Sequence, residues 1–266
     1  ATTEIYTLSL HDALPISPYA RIFPKSNMSM LALDRAKNKP ALPHYFEKNN
    51  YKVVLSSPLD YNNQETKSLV AHQFPTLFGE YGDLHLVEIS DKAKPTSASQ
   101  RVIESKISSP RIGIIFCGRQ TPGAHNVVHG LLEFCLQSKG ELIGFLDGTK
   151  GFFRKEHIIV TKESMEYYVN QGGMHYLGRS ADKIRTPQEL EATLQTCTEL
   201  KLDGLVLVGA THTLTDGIIV TEYLLSKGCR TSIICVPASV DGNVYHHMLE
   251  GIVGFDTATK VYSQLI

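Results

Sequence analysis

Four glycine-marked segments hold the residues best able to handle phosphate or move a proton. The first, Gly118-Arg119-Gln120-Thr121-Pro122-Gly123, lies between an apolar run and a helical pattern. Its free amide N–H groups would sit at a helix N-terminus, an arrangement that binds phosphate. A tight strand-to-helix turn would use the same glycines for steric reasons alone. The Gly-Lys-[Ser/Thr] ending of a Walker loop is absent. The second segment, residues 147–151 (DGTKG), reads as a turn with or without a ligand. The third runs from Asn170 through Gly172, Gly173 and Gly178 to Arg179, with Lys183 and Arg185 beyond. Arginines near glycines suit oxyanions, and a solvated positive helix start accounts for them equally well. The fourth, residues 237–243 (PASVDGN), sets Asp241 at the end of an apolar run. That carboxylate can accept a proton from a hydroxyl or shape an Asp-Gly turn.

These loops need a frame, and the pattern from Arg111 onward supplies one. Apolar runs rich in β-branched residues recur at 111–117, 141–146, 157–161, 204–209 and 231–237. Short continuous runs of this kind suit strands buried on both faces. Between them lie three helical signals. Val127, Val128, Leu131, Leu132 and Cys135 recur at helical spacing over 124–138, with Gly140 as the stop. Thr186-Pro187-Gln188-Glu189 is a capping box with proline in the first turn, followed by a stripe of Leu190, Leu194 and Cys197. The third helix is predicted over 214–226, ahead of Gly228. Strands alternating with helices imply right-handed crossovers and a doubly wound α/β domain with a parallel sheet. In such sheets ligands bind beyond the carboxyl ends of the strands, where all four segments lie.

The remainder is less regular. Residues 17–100 scatter prolines, among them Pro24, Pro40, Pro43, Pro58, Pro75 and Pro95, among short apolar patches; only 51–55 and 84–89 read as strands, so an irregular N-terminal arm is predicted, with 92–100 a polar linker. Residues 1–16 (ATTEIYTLSLHDALPI) share no character with the rest and resemble the translation of a sequencing-library adapter. They are left out of the fold, as a cloning scar would be. The last run, 256–266, is helical in pattern and lacks a stop signal, so the natural protein is expected to continue.

The 266 residues carry a net charge of −1 and 42% apolar residues, a globular balance without the basic footprint of a nucleic-acid binder. Five cysteines, mostly within apolar runs, read as buried thiols of a reducing compartment, which points to the cytoplasm. No apolar stretch approaches the roughly 18 residues of a membrane span. Cys117 lacks an evident base and reads as packing. His246 and His247 are adjacent and point apart, so a metal site there is not expected. Tyr167 and Tyr168 are read as packing a helix on the sheet.

In sequence order, FCGRQTPGAHNVV, GFLDGTKGFF, NQGGMHYLGRSADKIRT, LDGLVLVGATHTLTD and GFDTATKVYSQLI resemble the phosphofructokinase superfamily, in particular its long pyrophosphate-dependent type. The resemblance covers about 95–266. It implies a two-lobed fold with the site between the lobes, of which residues 101–266 form the first lobe, truncated at its C-terminal end. It also implies phosphoryl transfer from pyrophosphate or ATP to fructose 6-phosphate with Mg²⁺, in a glycolytic homo- or hetero-oligomer. No nucleic-acid or membrane partner is expected.

Carried over position by position, the resemblance assigns Gly118, Arg119, Gly123, Gly172, Gly173, Arg179 and Gly209 to the phosphate donor, Ser239 and Asp241 to the sugar phosphate, and the base to Asp241. Departures from the pattern are as telling. Arg119 stands where the family has a second glycine. The family's Gly-Gly-Asp-Asp appears as Gly209-Ala210-Thr211-His212, so Thr211 replaces the carboxylate that positions Mg²⁺, and no metal ligand is assigned. Ala238 replaces a lysine, and Asn243 replaces an aspartate. Each lost electrostatic group typically costs on the order of 10² to 10³ in rate. Together with the Cys-Gly-Arg-Gln form of the first loop, these losses are similar to the regulatory, or α, type of chain. The alternatives are a phosphotransferase in its own right and a non-catalytic subunit that binds a sugar phosphate and regulates a catalytic homologue.

Overall fold

The computed structural model describes residue 37 and residues 52–58, 64–81, 85–90, 101–103, 109–244 and 251–266. Two sheets are present among them. In the first, strands β1 (Lys52–Pro58), β2 (His85–Ser90) and β3 (Arg101–Ile103) pair antiparallel in the order β2-β1-β3. Helices α1 (Gln64–Gln73) and α2 (Pro75–Tyr81) lie between β1 and β2 in sequence. The arm, 17–100, thus contains both predicted strands and two helices, and its β1 pairs with β3 just beyond it. It is anchored to the larger unit where the Glu222 carboxylate accepts from the first N–H groups of α2, Thr76 and Leu77, each at 2.8 Å.

The larger sheet has six strands in the order β6-β5-β4-β7-β8-β9. They are β4 (Arg111–Phe116), β5 (Glu141–Phe145), β6 (His157–Ile159), β7 (Gly204–Gly209), β8 (Ser232–Ser239) and β9 (Val253–Gly254). Helices α3 (Ala124–Gln137), α4 (Thr149–Phe153), α5 (Lys162–Met165), α6 (Pro187–Glu199), α7 (Thr211–Ser226) and α8 (Phe255–Leu265) complete the fold.

Alternation along the strands divides the core in two. Ile114, Phe116, Val206 and Val208 pack with Val128, Leu132 and Cys135 of α3 on one face. Ile115, Leu205 and Leu207 pack on the other with Cys197 of α6 and with Val220 and Leu224 of α7. Both predicted stripes therefore face the sheet. The capping box of α6 is formed as well: the Thr186 hydroxyl accepts from the Glu189 N–H, and Glu189 accepts from the Thr186 N–H.

Four details depart from the sequence expectations. β6 runs antiparallel to β5, so the sheet is mixed, with the other strand pairs parallel. The physical reason is length, since residues 146–156 are fewer than the dozen or so a parallel return needs. The helix α7 begins at Thr211, one turn earlier than predicted, because Ala210 opens it without a side-chain cap that could mark its start. β8 continues to Ser239, where β9 pairs with Ala238 and Ser239. Finally, the left-handed residue that ends α3 is Lys139, at φ 54°, rather than Gly140. Gly140 is instead needed for close approach, since a Cβ there would lie 2.2 Å from the Pro110 carbonyl oxygen.

The strand order also locates the crevice. From β4 the chain moves to β5 on one side, then crosses to β7 on the other. Loops leaving β4 and β7 therefore diverge, and the gap between them is where ligands enter sheets of this kind.

Candidate active-site crevice

Gly118 leaves β4 at φ 74°, which turns the chain away from the sheet. Its N–H donates to the Ser180 carbonyl at 2.8 Å, and its own carbonyl accepts from the Arg179 guanidinium at 2.5 Å. The segment carrying Arg179 is fixed in turn by the loop after β5. Thr149 Oγ1 lies 2.6 Å from Ser180 Oγ and donates to the Asp182 carbonyl at 3.0 Å. Gly148 makes this possible: a Cβ there would stand 2.2 Å from the Ser180 nitrogen and 2.7 Å from the Phe116 oxygen. The second glycine segment is thus a clamp for the third.

The other end of the first loop is held as closely. The side-chain position of Gly172 is 3.9 Å from the Gly123 nitrogen, and that of Gly173 is 3.4 Å from Gln120 Nε2. Asn126 and Asn170 exchange two hydrogen bonds of 3.1 Å across the same junction. Beneath it, His125 is fully buried, accepts from the Tyr176 N–H at 3.2 Å, and meets the His175 ring at 4.6 Å. Burial first, and His175 second, push its pKa down to about 3, so the ring is neutral.

Gly209 ends β7 between Pro237 of β8 and the end of β4, its side-chain position 3.1 Å from the Cys117 carbonyl oxygen. Thr211 and His212 follow, both exposed on the first turn of α7. Past β8, Ser239 Oγ donates to Asn243 Oδ1 at 2.7 Å and accepts from the Asp241 N–H at 3.2 Å. This small turn holds the Asp241 backbone while its carboxylate extends outward. Asp241 Oδ2 stands 3.8 Å from Arg119 Nη1, an exposed ion pair that spans the gap between the β4 and β8 loops.

The structure therefore brings Gly118, Arg119, Gly123, Gly172, Gly173 and Arg179 together, with Gly209 beside the end of β4, its side-chain position 3.1 Å from the Cys117 carbonyl oxygen, and with Ser239 and Asp241 on the β8 loop, where Asp241 pairs with Arg119 at 3.8 Å. Arg185 does not join them. Its Nε lies 2.6 Å from Asp216 Oδ1, a buried carboxylate of α7 that also accepts from the Ile184 N–H. Of the expected cations Arg185 is structural. His246 and His247 lie outside the described residues. Tyr168 is buried against the rings of His125, His175 and Tyr176, packing the 165–178 segment onto the core. Burial raises the Cys117 thiol far above its ordinary value, helped by Asp216 and Cys235, which suits packing rather than nucleophilic attack.

Sequence reading missed the roles of His125, Asp216 and Ser180. The first two are polar residues within apolar helical patterns, the kind of position that demands a partner once buried. Nothing local to Ser180 marks it.

Residues 111–266 match the family profile described as Phosphofructokinase. The chain belongs to the phosphofructokinase family. It is 35% identical over 241 residues to pyrophosphate–fructose 6-phosphate 1-phosphotransferase subunit alpha 2 of Arabidopsis thaliana, covering 90% of this chain and 38% of that protein. With subunit beta 2 of the same plant it shares 32% identity over 195 residues, covering 73% of this chain and 32% of the relative. This chain thus spans under two fifths of these relatives' length. Phosphofructokinase from Saccharomyces cerevisiae matches the fold with a TM-score of 0.52 at 20% identity, covering 59% of this chain and 21% of that structure. Among the described residues no helix is long and apolar enough to cross a membrane.

Proposed function

We propose that this chain forms the first lobe of a pyrophosphate-linked phosphofructokinase of the regulatory kind, which binds phosphate oxyanions in the crevice and leaves turnover to a catalytic homologue. In the family reaction, phosphoryl passes from pyrophosphate or ATP to the 1-hydroxyl of fructose 6-phosphate. The hydroxyl proton would go to a base at Asp241. The observation that carries the regulatory reading is the Arg119–Asp241 pair, which engages the one carboxylate at the place of the base. The other charged groups of the family pattern are replaced here, by Thr211 and His212 on the first turn of α7 and by Ala238 buried in β8. Transfer of this kind depends on positioning and charge neutralisation, so the loop frame alone supports binding better than chemistry.

Likeness to both alpha and beta subunits supports a hetero-oligomer with a catalytic chain; a place in cytoplasmic glycolysis belongs to the same proposal. A coupled assay of the full protein with fructose 6-phosphate and either pyrophosphate or ATP tests this reading. Alone, it should turn over about 10⁴-fold or more below a catalytic homologue. Mixed with that homologue, it should change the rate or substrate affinity. Turnover by the isolated protein at the homologue's own rate would overturn the proposal.

The Mg²⁺ expected from the family finds a poor oxygen set. This ion favours one or two carboxylates plus phosphate oxygens. Asp241 is the one carboxylate assigned to this crevice, and Thr211 stands at the place of the family's metal-positioning aspartate. The crevice oxygens are already engaged: Gly118 O accepts from Arg179, Ser239 Oγ accepts from a backbone N–H, and Asp241 Oδ2 is ion-paired with Arg119 at 3.8 Å.

A further inference from the structure

The mismatch between Mg²⁺ and this oxygen set leads further, on the premise that the crevice binds an oxyanion at all. We propose that Arg119 is the resident cation of the crevice, and that pyrophosphate binds there uncomplexed, without a divalent metal. Arg119 is an insertion of charge into a glycine-marked phosphate loop, and its side chain is 92% exposed, so it is free to meet a ligand. Its only close ionic partner among the described residues is Asp241, at 3.8 Å, a contact long enough to exchange readily. Guanidinium offers a planar pair of donors matched to two phosphate oxygens and stays charged at all working pH.

The surrounding loop favours that exchange. Arg179 binds the carbonyl of Gly118, which screens a lone pair that would otherwise repel the anion or serve a metal. Asp241 is then a competitor of the ligand for Arg119. A phosphate oxygen entering the gap takes the guanidinium, and the carboxylate turns to water. The charge logic is inverted relative to a metal site, where the same carboxylate would anchor the cation and strengthen binding.

Calorimetric titration of the full protein with inorganic pyrophosphate, at fixed ionic strength, separates these cases. In EDTA the protein should bind, and added Mg²⁺ should leave the affinity unchanged or weaken it by complexing the ligand. Arg119→Gln should weaken binding about ten- to hundredfold, the usual effect of losing a charged hydrogen bond. Asp241→Asn should tighten it about two- to fivefold, as expected for removal of one exposed competing charge. Unchanged urea midpoints for both variants would show that folding is intact. Binding that appears only with Mg²⁺, or that weakens in Asp241→Asn, would overturn the metal-free site and leave the regulatory reading standing. Indifference of EDTA binding to Arg119→Gln would overturn the role of Arg119. Failure to bind in either buffer would overturn both the inference and the oxyanion crevice on which it rests.

Discussion

The two sides of the crevice are built differently. On the β4 side, Gly118, Ser180, Thr149, Asn126 and Asn170 are joined by short hydrogen bonds over a core that includes buried His125. On the β8 side, a single serine-asparagine turn supports Asp241, and the residues facing outward are exposed. Frame and chemistry are therefore separable in this protein. Close packing fixes where the donor loop stands, whereas the charges that decide what the crevice does lie on exposed side chains that packing leaves free to vary. Substitutions on the first side should show in stability, and those on the second in ligand affinity.

The largest expected effect is on the packed side and depends on pH. His125 has its pKa lowered from 6.5 to about 3, so between these values the unfolded chain binds a proton that the folded chain refuses. Stability should then fall as pH drops from 6.5 towards 3, by several kcal/mol in all. Urea denaturation across that range should show a shallower fall for His125→Gln, which keeps an acceptor for the Tyr176 N–H but does not titrate. Equal slopes would remove His125 from the account.

Next is the clamp. Gly148→Ala places a methyl carbon against the Ser180 nitrogen at a φ of 66°, and should destabilise by about 3 kcal/mol or more. A variant as stable as the parent would mean that the β5 loop does not hold the Arg179 segment. A smaller loss, about 2 kcal/mol, is expected for Arg185→Met, since Asp216 stays buried without its guanidinium while the partly exposed arginine limits the cost. Thermal unfolding would check it, and a neutral result would return Arg185 to the list of free cations. Smallest of all, Arg119→Gln should move stability by less than about 0.5 kcal/mol, because both members of its pair are exposed.

The same division explains what could be read from the sequence. Buried strands β4, β5 and β7, the stripes of α3 and α6, and the Thr186 box were legible because apolar periodicity and capping are local signals. The direction of β6 was hidden in a connection length, and the early start of α7 in a cap made by backbone alone. Within the crevice, glycines and Asp241 were visible as loop residues, but the Arg119–Asp241 contact joins positions 122 apart in sequence numbering and depends on the strand order. Arg185 misled for a related reason. Its partner Asp216 sits in an apolar helix whose burial only the fold reveals.

Where an anion sits between these two sides is the most direct test. A crystal structure of the full protein grown with pyrophosphate in EDTA should place phosphate oxygens within hydrogen-bond reach of the Arg119 guanidinium, with the Asp241 carboxylate released from it. Pyrophosphate bound beyond the reach of Arg119, or the Arg119–Asp241 pair intact beside a bound ligand, would contradict it.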